Sequence, residues 1–114
     1  MKSYTGIRTP EGCTVTVHDG GHARPLPLHL SLRRHSPSGF EWGYGGSGPA
    51  QLALAVCYDV LRDRDAALDV YQAFKRDVIA GLTTDQWTLS EAEIRAAVAP
   101  RLAERNPNGT GPGV

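Results

Sequence analysis

Residues 43–61, GYGGSGPAQLALAVCYDVL, change within a few positions from a glycine-rich loop to an almost continuous apolar run. Pro49 favours a helix start. The N–H groups of the first helical turn have no partner within the helix, so a proline, which has no N–H, fits there without loss. We therefore predict a helix from Pro49 to Leu61. Apolar residues occupy nearly every side of this helix, which is typical of a helix at the centre of a domain.

The residues before this stretch have the patterns of β-strands. In Cys13–His18, apolar and polar side chains alternate, as in a half-buried strand. Tyr4–Arg8 is a shorter candidate, and Ala23–Leu30 is a third strand, whose two prolines require an edge position. Turn sequences separate these strands, namely Thr9-Pro10-Glu11-Gly12 and Asp19-Gly20-Gly21. The pattern predicts an antiparallel meander.

Two more helices are predicted after the central one. The second runs from Arg64 to Ala80, with Asp63 as its N-cap residue. The third begins at Ser90 with the capping-box sequence Ser-Glu-Ala-Glu, and Pro100 ends or kinks it.

These elements predict the fold class and its extent. The class is α+β, with a three-stranded antiparallel meander packed on a three-helix cluster. We assign residues 1–105 to this single domain. Residues 106–114 are rich in glycine and proline, and we expect them to form a flexible tail. The core of so small a domain is limited, so we also expect a homo-oligomer.

The composition narrows the classes of function. Twelve basic residues balance twelve acidic ones among 114, which argues against general binding of nucleic acid. The two cysteines, Cys13 and Cys57, are too few and too far apart for a structural zinc site. No apolar stretch approaches the roughly 20 residues that span a membrane, and the N-terminus lacks the apolar core of a signal peptide. We expect a cytoplasmic protein without a metal or cofactor.

The charges are distributed unevenly along the chain. Residues 1–40 contain five basic and two acidic residues, whereas residues 41–114 contain seven basic and ten acidic ones. A small domain with this asymmetry presents a basic face to an anionic ligand, or pairs its two halves with each other. Both interpretations stay open.

The junction between the glycine-rich loop and the central helix is the candidate binding site. A helix N-terminus offers unpaired N–H groups and a positive field, and glycines let a ligand approach the backbone. The candidate ligand-binding residues are Gly45, Gly46, Ser47 and Gly48, with Arg33 and Arg34 for charge and Trp42 and Tyr44 for stacking. The alternative is a tight structural turn, and whether the two aromatic rings are core or exposed stays open.

The same segment lacks the known phosphate-binding fingerprints. No Gly-Lys-Ser/Thr follows it, as a Walker A motif requires, and its glycine spacing is not that of a dinucleotide site. For catalysis, His35 and Glu41 are a candidate base and orienting group, but nothing in their spacing demands that role. The sequence therefore favours a binding protein over an enzyme.

The run from His35 to Ala55, HSPSGFEWGYGGSGPAQLALA, resembles the hallmark of a family of small bacterial and phage proteins with a domain of unknown function. The similarity begins near Tyr4 and extends to residues 87–89, so it covers most of the chain. The occurrence of this family in phages implies a role in phage–host conflict, such as sequestering a nucleotide signal or blocking a host factor.

Two functions follow as expectations. The first is a small non-enzymatic protein that binds a phosphate-bearing small molecule, such as a nucleotide, at the glycine-rich loop. The second is a protein–protein interaction module, such as a phage-encoded inhibitor of a host factor, in which the loop is only structural.

Overall fold

The structure is a computed structural model that describes residues 1–105. The predicted tail, residues 106–114, lies outside the described residues. The described chain has strands β1 (Lys2–Thr9), β2 (Gly12–Asp19), β3 (His22–Pro25) and β4 (Gln86–Ser90), and helices α1 (Ser47–Leu61), α2 (Arg64–Asp77) and α3 (Glu91–Arg105). The α+β class with three helices is thus confirmed.

The sheet has four antiparallel strands in the order β3-β2-β1-β4, so the prediction of three strands is wrong. The missed strand is β4, which pairs with β1 from the register Ser3 opposite Ser90 to Ile7 opposite Gln86. It returns the chain to the sheet after two helices. As a result β1 lies in the interior of the sheet, with a neighbour on each side.

The two hairpins form where the turn sequences predicted them. Between β2 and β3, Gly20 and Gly21 have φ values of 59° and 87°, which suits the right-handed twist of a two-residue hairpin. The third strand is at an edge, as its prolines require, but it ends at Pro25 and not at Leu30. One further backbone bond, from the Leu26 N–H to the Val15 carbonyl, marks the end of this pairing.

Helix α1 is the centre of the core, as the sequence predicted. It begins at Ser47, two residues before Pro49, and 12 of its 15 residues are buried. The sheet covers it with the side chains that alternate inwards, including Tyr4, Val15 and Val17. This helix is therefore screened from solvent along most of its length, and in its first turn only Ser47 is exposed.

The other two helices begin as predicted and end differently. The Asp63 carboxylate accepts the Ala66 N–H, and Ser90 and Glu93 form the reciprocal capping box, with both bonds at 3.0 Å or less. Helix α2 ends at Asp77, and a short 3-10 turn over Ile79–Gly81 follows. Helix α3 continues through Pro100 to Arg105, so of the two predicted effects of this proline, an end or a kink, the end is wrong.

Candidate functional site

The start of α1 differs from the starts of the other two helices. Its N-cap residue is Gly46, which has no side chain to cap the helix, and no acidic residue lies in the first turn. Helices α2 and α3 both have a side-chain cap and acidic residues there. No hydrogen bond within residues 1–105 uses the N–H of Ser47 or Gly48. Ser47 is exposed, whereas Gly48 is buried against Glu41, so Ser47 is the residue of this turn that a ligand can reach.

Packing accounts for several of the loop glycines. A Cβ at Gly46 would overlap the ring of Tyr44, and one at Gly48 would lie 2.6 Å from the Glu41 Cβ. Gly43 has a φ of 90°, and its N–H donates to the Ile79 carbonyl at 3.0 Å. Only the Cβ position of Gly45 lies in open space, with nothing within 4 Å. The loop is therefore packed at Gly43, Gly46 and Gly48, and has open space beside Gly45.

The two aromatic residues of the predicted site have different surroundings. Trp42 is 1% exposed, and its indole N–H donates to the Thr84 carbonyl at 2.9 Å. The Arg8 guanidinium lies 4.7 Å from the centre of this ring. Trp42 therefore belongs to the core, and the expectation that it stacks on a ligand does not fit its burial. Tyr44 is 51% exposed and is the aromatic ring that solvent reaches.

A buried side chain of α1 holds the segment that contains Arg33 and Arg34. The sequence patterns did not indicate this residue. Gln51, in the second turn of α1, is fully buried. Its Oε1 accepts the N–H groups of His35 and Ser36 at 2.7 and 2.9 Å, and its Nε2 donates to the carbonyls of Leu28 and Arg33 at 2.7 and 3.0 Å. Four hydrogen bonds thus hold the backbone of this segment beside the first turns of α1.

This fastening leaves Arg33 and Arg34 exposed. Neither arginine has an ion pair within the described residues. His35 Nε2 lies 2.7 Å from the Tyr71 hydroxyl on α2. Burial lowers the pKa of His35, and the charges of Arg33 and Lys75 lower it further. Two exposed arginines thus lie on the segment that Gln51 holds beside α1.

The candidate catalytic pair is not assembled. His35 contacts Tyr71, whereas Glu41 accepts a hydrogen bond from Arg8 at 2.8 Å and one from the Trp42 N–H at 3.3 Å. The hydrogen bond from Arg8 is the first cause of the lowered pKa of Glu41. Glu41 is thus an arginine partner.

A second buried polar residue of α1 forms an ionic centre on the side of the sheet. Asp59 has a side chain that is 2% exposed and accepts hydrogen bonds from Tyr4 at 2.6 Å, Arg24 at 2.9 Å and Lys2 at 3.1 Å. Burial by itself raises the pKa of Asp59, but these three donors outweigh it and hold that pKa below its usual value. Sequence reasoning missed this centre, although a charged residue within an apolar run is a signal for one.

Two searches of the described residues and three comparisons with known proteins limit what the site is. Within residues 1–105 no group of three or more His, Cys, Asp or Glu side chains is placed to hold a metal ion, and no helix is long and apolar enough to cross a membrane. Neither a curated protein nor a solved structure matches the chain. A family model matches residues 4–100, and the chain therefore belongs to the DUF6166 family of unknown function.

Proposed function

We propose that this protein is a small, non-enzymatic, cytoplasmic binding protein for a phosphate-bearing small molecule, such as a nucleotide or a nucleotide signal. The observation that carries this proposal is the fastening of the arginine segment to α1 by Gln51. It brings two features that are ten or more residues apart in sequence to one place. These are the uncapped N-terminus of α1 and the unpaired arginines.

The parts of this place have complementary roles toward a phosphate. The N–H group of Ser47, which is exposed, is a donor in the positive field of a helix start, where phosphates bind in many proteins. Gly48, the other predicted donor, is buried and has no role in this proposal. Arg33 and Arg34 add charge and the forked donors that suit phosphate oxygens. Tyr44 offers an exposed ring for a base. Trp42 has no role in this proposal, because it is buried.

The alternative of a host-factor inhibitor has less support. A protein-binding surface of that kind is expected to include a contiguous apolar patch. Within residues 1–105 only Met1, Ile7 and Tyr44 are exposed large apolar residues, and Tyr44 lies in the loop before α1, in a different part of the chain from the other two. An action against a nucleotide signal in phage–host conflict remains our proposed biological setting.

The experiment is a panel of inorganic phosphate and nucleotides, measured by thermal shift and titration calorimetry on the full chain. The decisive variant is Ser47→Asp, which places a carboxylate in the first turn of α1. It should stabilise the helix by about 0.3–1 kcal/mol, because negative charge is favourable there. It should also abolish binding of a phosphate ligand, because the same field then already holds an anion.

Two arginine variants complete the test. Arg34→Ala should weaken binding and reduce its dependence on salt, because one cation no longer faces the phosphate. Arg64→Ala is the matched control, since Arg64 is exposed on α2 and pairs with Asp65, which is exposed as well. If no member of the panel raises the melting temperature, or if Ser47→Asp leaves binding unchanged, the loop has only a structural role.

A further inference from the structure

The face of the sheet that points away from the helices contains no Lys, Arg, Asp or Glu. Side chains alternate along each strand, so the residues between the buried ones point outwards. These outward residues are Ser3, Thr5, Ile7, Thr9, Gly12, Thr14, Thr16, His18, Ala23, Pro25, Gln86, Thr88 and Ser90. At the chain's overall charged fraction of 21%, about three charged residues would be expected among them.

The middle of this face is a single row across all four strands. Thr5 lies opposite Thr16 on one side and opposite Thr88 on the other, and Thr16 lies opposite Pro25. Ile7, two residues along β1, is 37% exposed. A row of β-branched hydroxyl residues beside an exposed isoleucine is uncharged and partly apolar. Such a surface can be covered by another surface of the same kind without leaving a buried charge.

Both edges of the sheet are poorly suited to pairing with another strand. Pro25 lies on the β3 edge and has no N–H to donate. On the β4 edge, the Gln86 carbonyl accepts the Thr84 hydroxyl at 2.6 Å, and the Ser90 N–H donates to Glu93 at 2.8 Å. Two of the polar backbone groups of β4 are thus already occupied within the chain. Association through the face is therefore favoured over extension of the sheet.

We propose that this uncharged face binds the same face of a second copy of the chain, which gives a symmetric dimer of two packed sheets. A two-fold axis brings each residue near its own counterpart, so a face without charged residues avoids like-charge repulsion. Identical antiparallel sheets pack face to face in this way, about 10 Å apart.

The size of the face fits a weak dimer. Its strands have 8, 8, 4 and 5 residues. With strands about 4.8 Å apart and a rise of about 3.4 Å per residue, they cover roughly 400 Å² in projection. Two copies would bury on the order of 1,000 Å² in total, which is the lower limit for a specific interface. We therefore expect dissociation in the micromolar range.

The test is sedimentation or light scattering of the full chain between about 10 μM and 1 mM, a range that spans micromolar dissociation. Wild-type protein should move from 12.3 kDa towards twice that mass. Thr5→Lys puts two like charges face to face in the dimer and should raise the dissociation constant at least about tenfold. Thr83→Lys is the matched control, because Thr83 is exposed and lies outside the strands.

A mixture of variants separates loss of the interface from loss of folding. Thr5→Lys and Thr5→Glu should each be monomeric and each fold, as judged by circular dichroism. Mixed together they should associate again, because opposite charges then meet. The proposal fails if the wild type stays at 12.3 kDa throughout, if Thr5→Lys associates like the wild type, or if Thr83→Lys is equally disruptive.

Discussion

Gly6, which has no side chain, leaves room in the sheet for the ring of Trp87. Gly6 lies on β1 opposite Trp87 of β4, and a Cβ at Gly6 would overlap the indole of Trp87. Glycine within a strand ordinarily weakens it, because it has no side chain to pack and loses more entropy on folding. Here the space that glycine leaves is filled by the largest side chain of the neighbouring strand.

We predict that Gly6→Ala destabilises the protein. The added methyl group would force the indole out of its place, and overpacking of this kind costs about 1–3 kcal/mol. Urea unfolding followed by circular dichroism measures the change. Gly45→Ala is the matched control, because its Cβ would meet no atom within 4 Å. Equal stability of the Gly6→Ala variant and the wild type would contradict the packing described for Trp87.

Gln51 is a second single residue with a large effect, because its side chain holds the loop that contains residues 28–36. Replacing it with leucine keeps the size of the side chain and removes four hydrogen bonds. We predict a loss of several kcal/mol, because each buried group left unpaired costs about 1–3 kcal/mol. The amides of His35 and Ser36 should also exchange their hydrogens much faster, since they lose their acceptor.

The control for this prediction is Gln72→Leu. Gln72 is only partly buried and makes one hydrogen bond, to the Tyr71 hydroxyl at 3.1 Å. It should cost less than about 1.5 kcal/mol, the usual worth of one such bond. Unchanged exchange of the two amides in Gln51→Leu would mean that the loop holds its place without this side chain.

At the scale of elements, Asp59 joins α1 to two strands. Its carboxylate bonds Tyr4 and Lys2 on β1 and Arg24 on β3. We predict that Asp59→Asn costs about 3–5 kcal/mol near neutral pH, because it leaves two partly buried cations without their counter-charge. Tyr4→Phe removes a single bond and should cost about 1–2 kcal/mol.

The dependence on pH has a definite sign. The pKa of Asp59 is lower in the folded chain than its ordinary value of 3.8. Its stabilising contribution is therefore complete above that ordinary value and is lost as the pH falls through the lower folded value. Glu41 and Glu91 act in the same direction, since their pKa values are also lowered. The free energy of unfolding should thus fall less steeply between about pH 5 and pH 2 in Asp59→Asn than in the wild type.

The sequence correctly predicted those caps and turns whose signals lie within a few neighbouring residues. The capping box at Ser90, the cap at Asp63 and the glycine hairpin all depend on residues within a few positions of each other. Strand β4 depends instead on pairing with β1, about 80 residues earlier. Its five residues do alternate between polar and apolar side chains, but so short a run is a weak signal by itself. Its last residue, Ser90, is also the first residue of the capping box, and that pattern predicts the start of a helix and not the end of a strand.

Solvent exposure explains why α3 does not end at its proline. Pro100 removes one helical hydrogen bond and frees the carbonyl four residues earlier, at Ala96. Both residues are exposed, so water can satisfy that carbonyl. A sequence pattern cannot distinguish this from a buried position, where the same proline would end the helix.

The candidate site was predictable in part. The glycine-rich loop and the helix start are visible in the sequence, and so are the exposed arginines. Their meeting depends on Gln51, and the partners of a buried side chain are set by the tertiary fold. The burial of Trp42 likewise depends on Arg8 and Thr84, which come from two other parts of the chain.

At the scale of the whole molecule, the two tryptophans connect the sheet to the loop before α1. Trp42 and Trp87 pack edge to face, with ring centres 5.4 Å apart, and both are buried. Because one lies in the loop and the other in β4, neither can become exposed without disturbing both parts.

We therefore predict one unfolding transition for the described domain. Tryptophan fluorescence should report the environment of these rings, and far-ultraviolet circular dichroism should report the helices. Their urea midpoints should coincide, as in a two-state domain of this size. A fluorescence midpoint at clearly lower urea would show that the sheet and the loop separate before the helices melt.

The two cysteines differ in burial, so the labelling rate of the buried one can report how often the folded protein opens. Cys57 is fully buried in α1, whereas Cys13 on β2 is partly exposed, and burial raises the pKa of both thiols. A thiol reagent should therefore modify Cys13 before Cys57, which it reaches only when the molecule opens. In a Cys13→Ser variant, the remaining labelling rate would measure that opening directly under native conditions, without denaturant. Any ligand of the α1 N-terminus, or any partner of the sheet face, should slow this rate in proportion to the folded state that it stabilises.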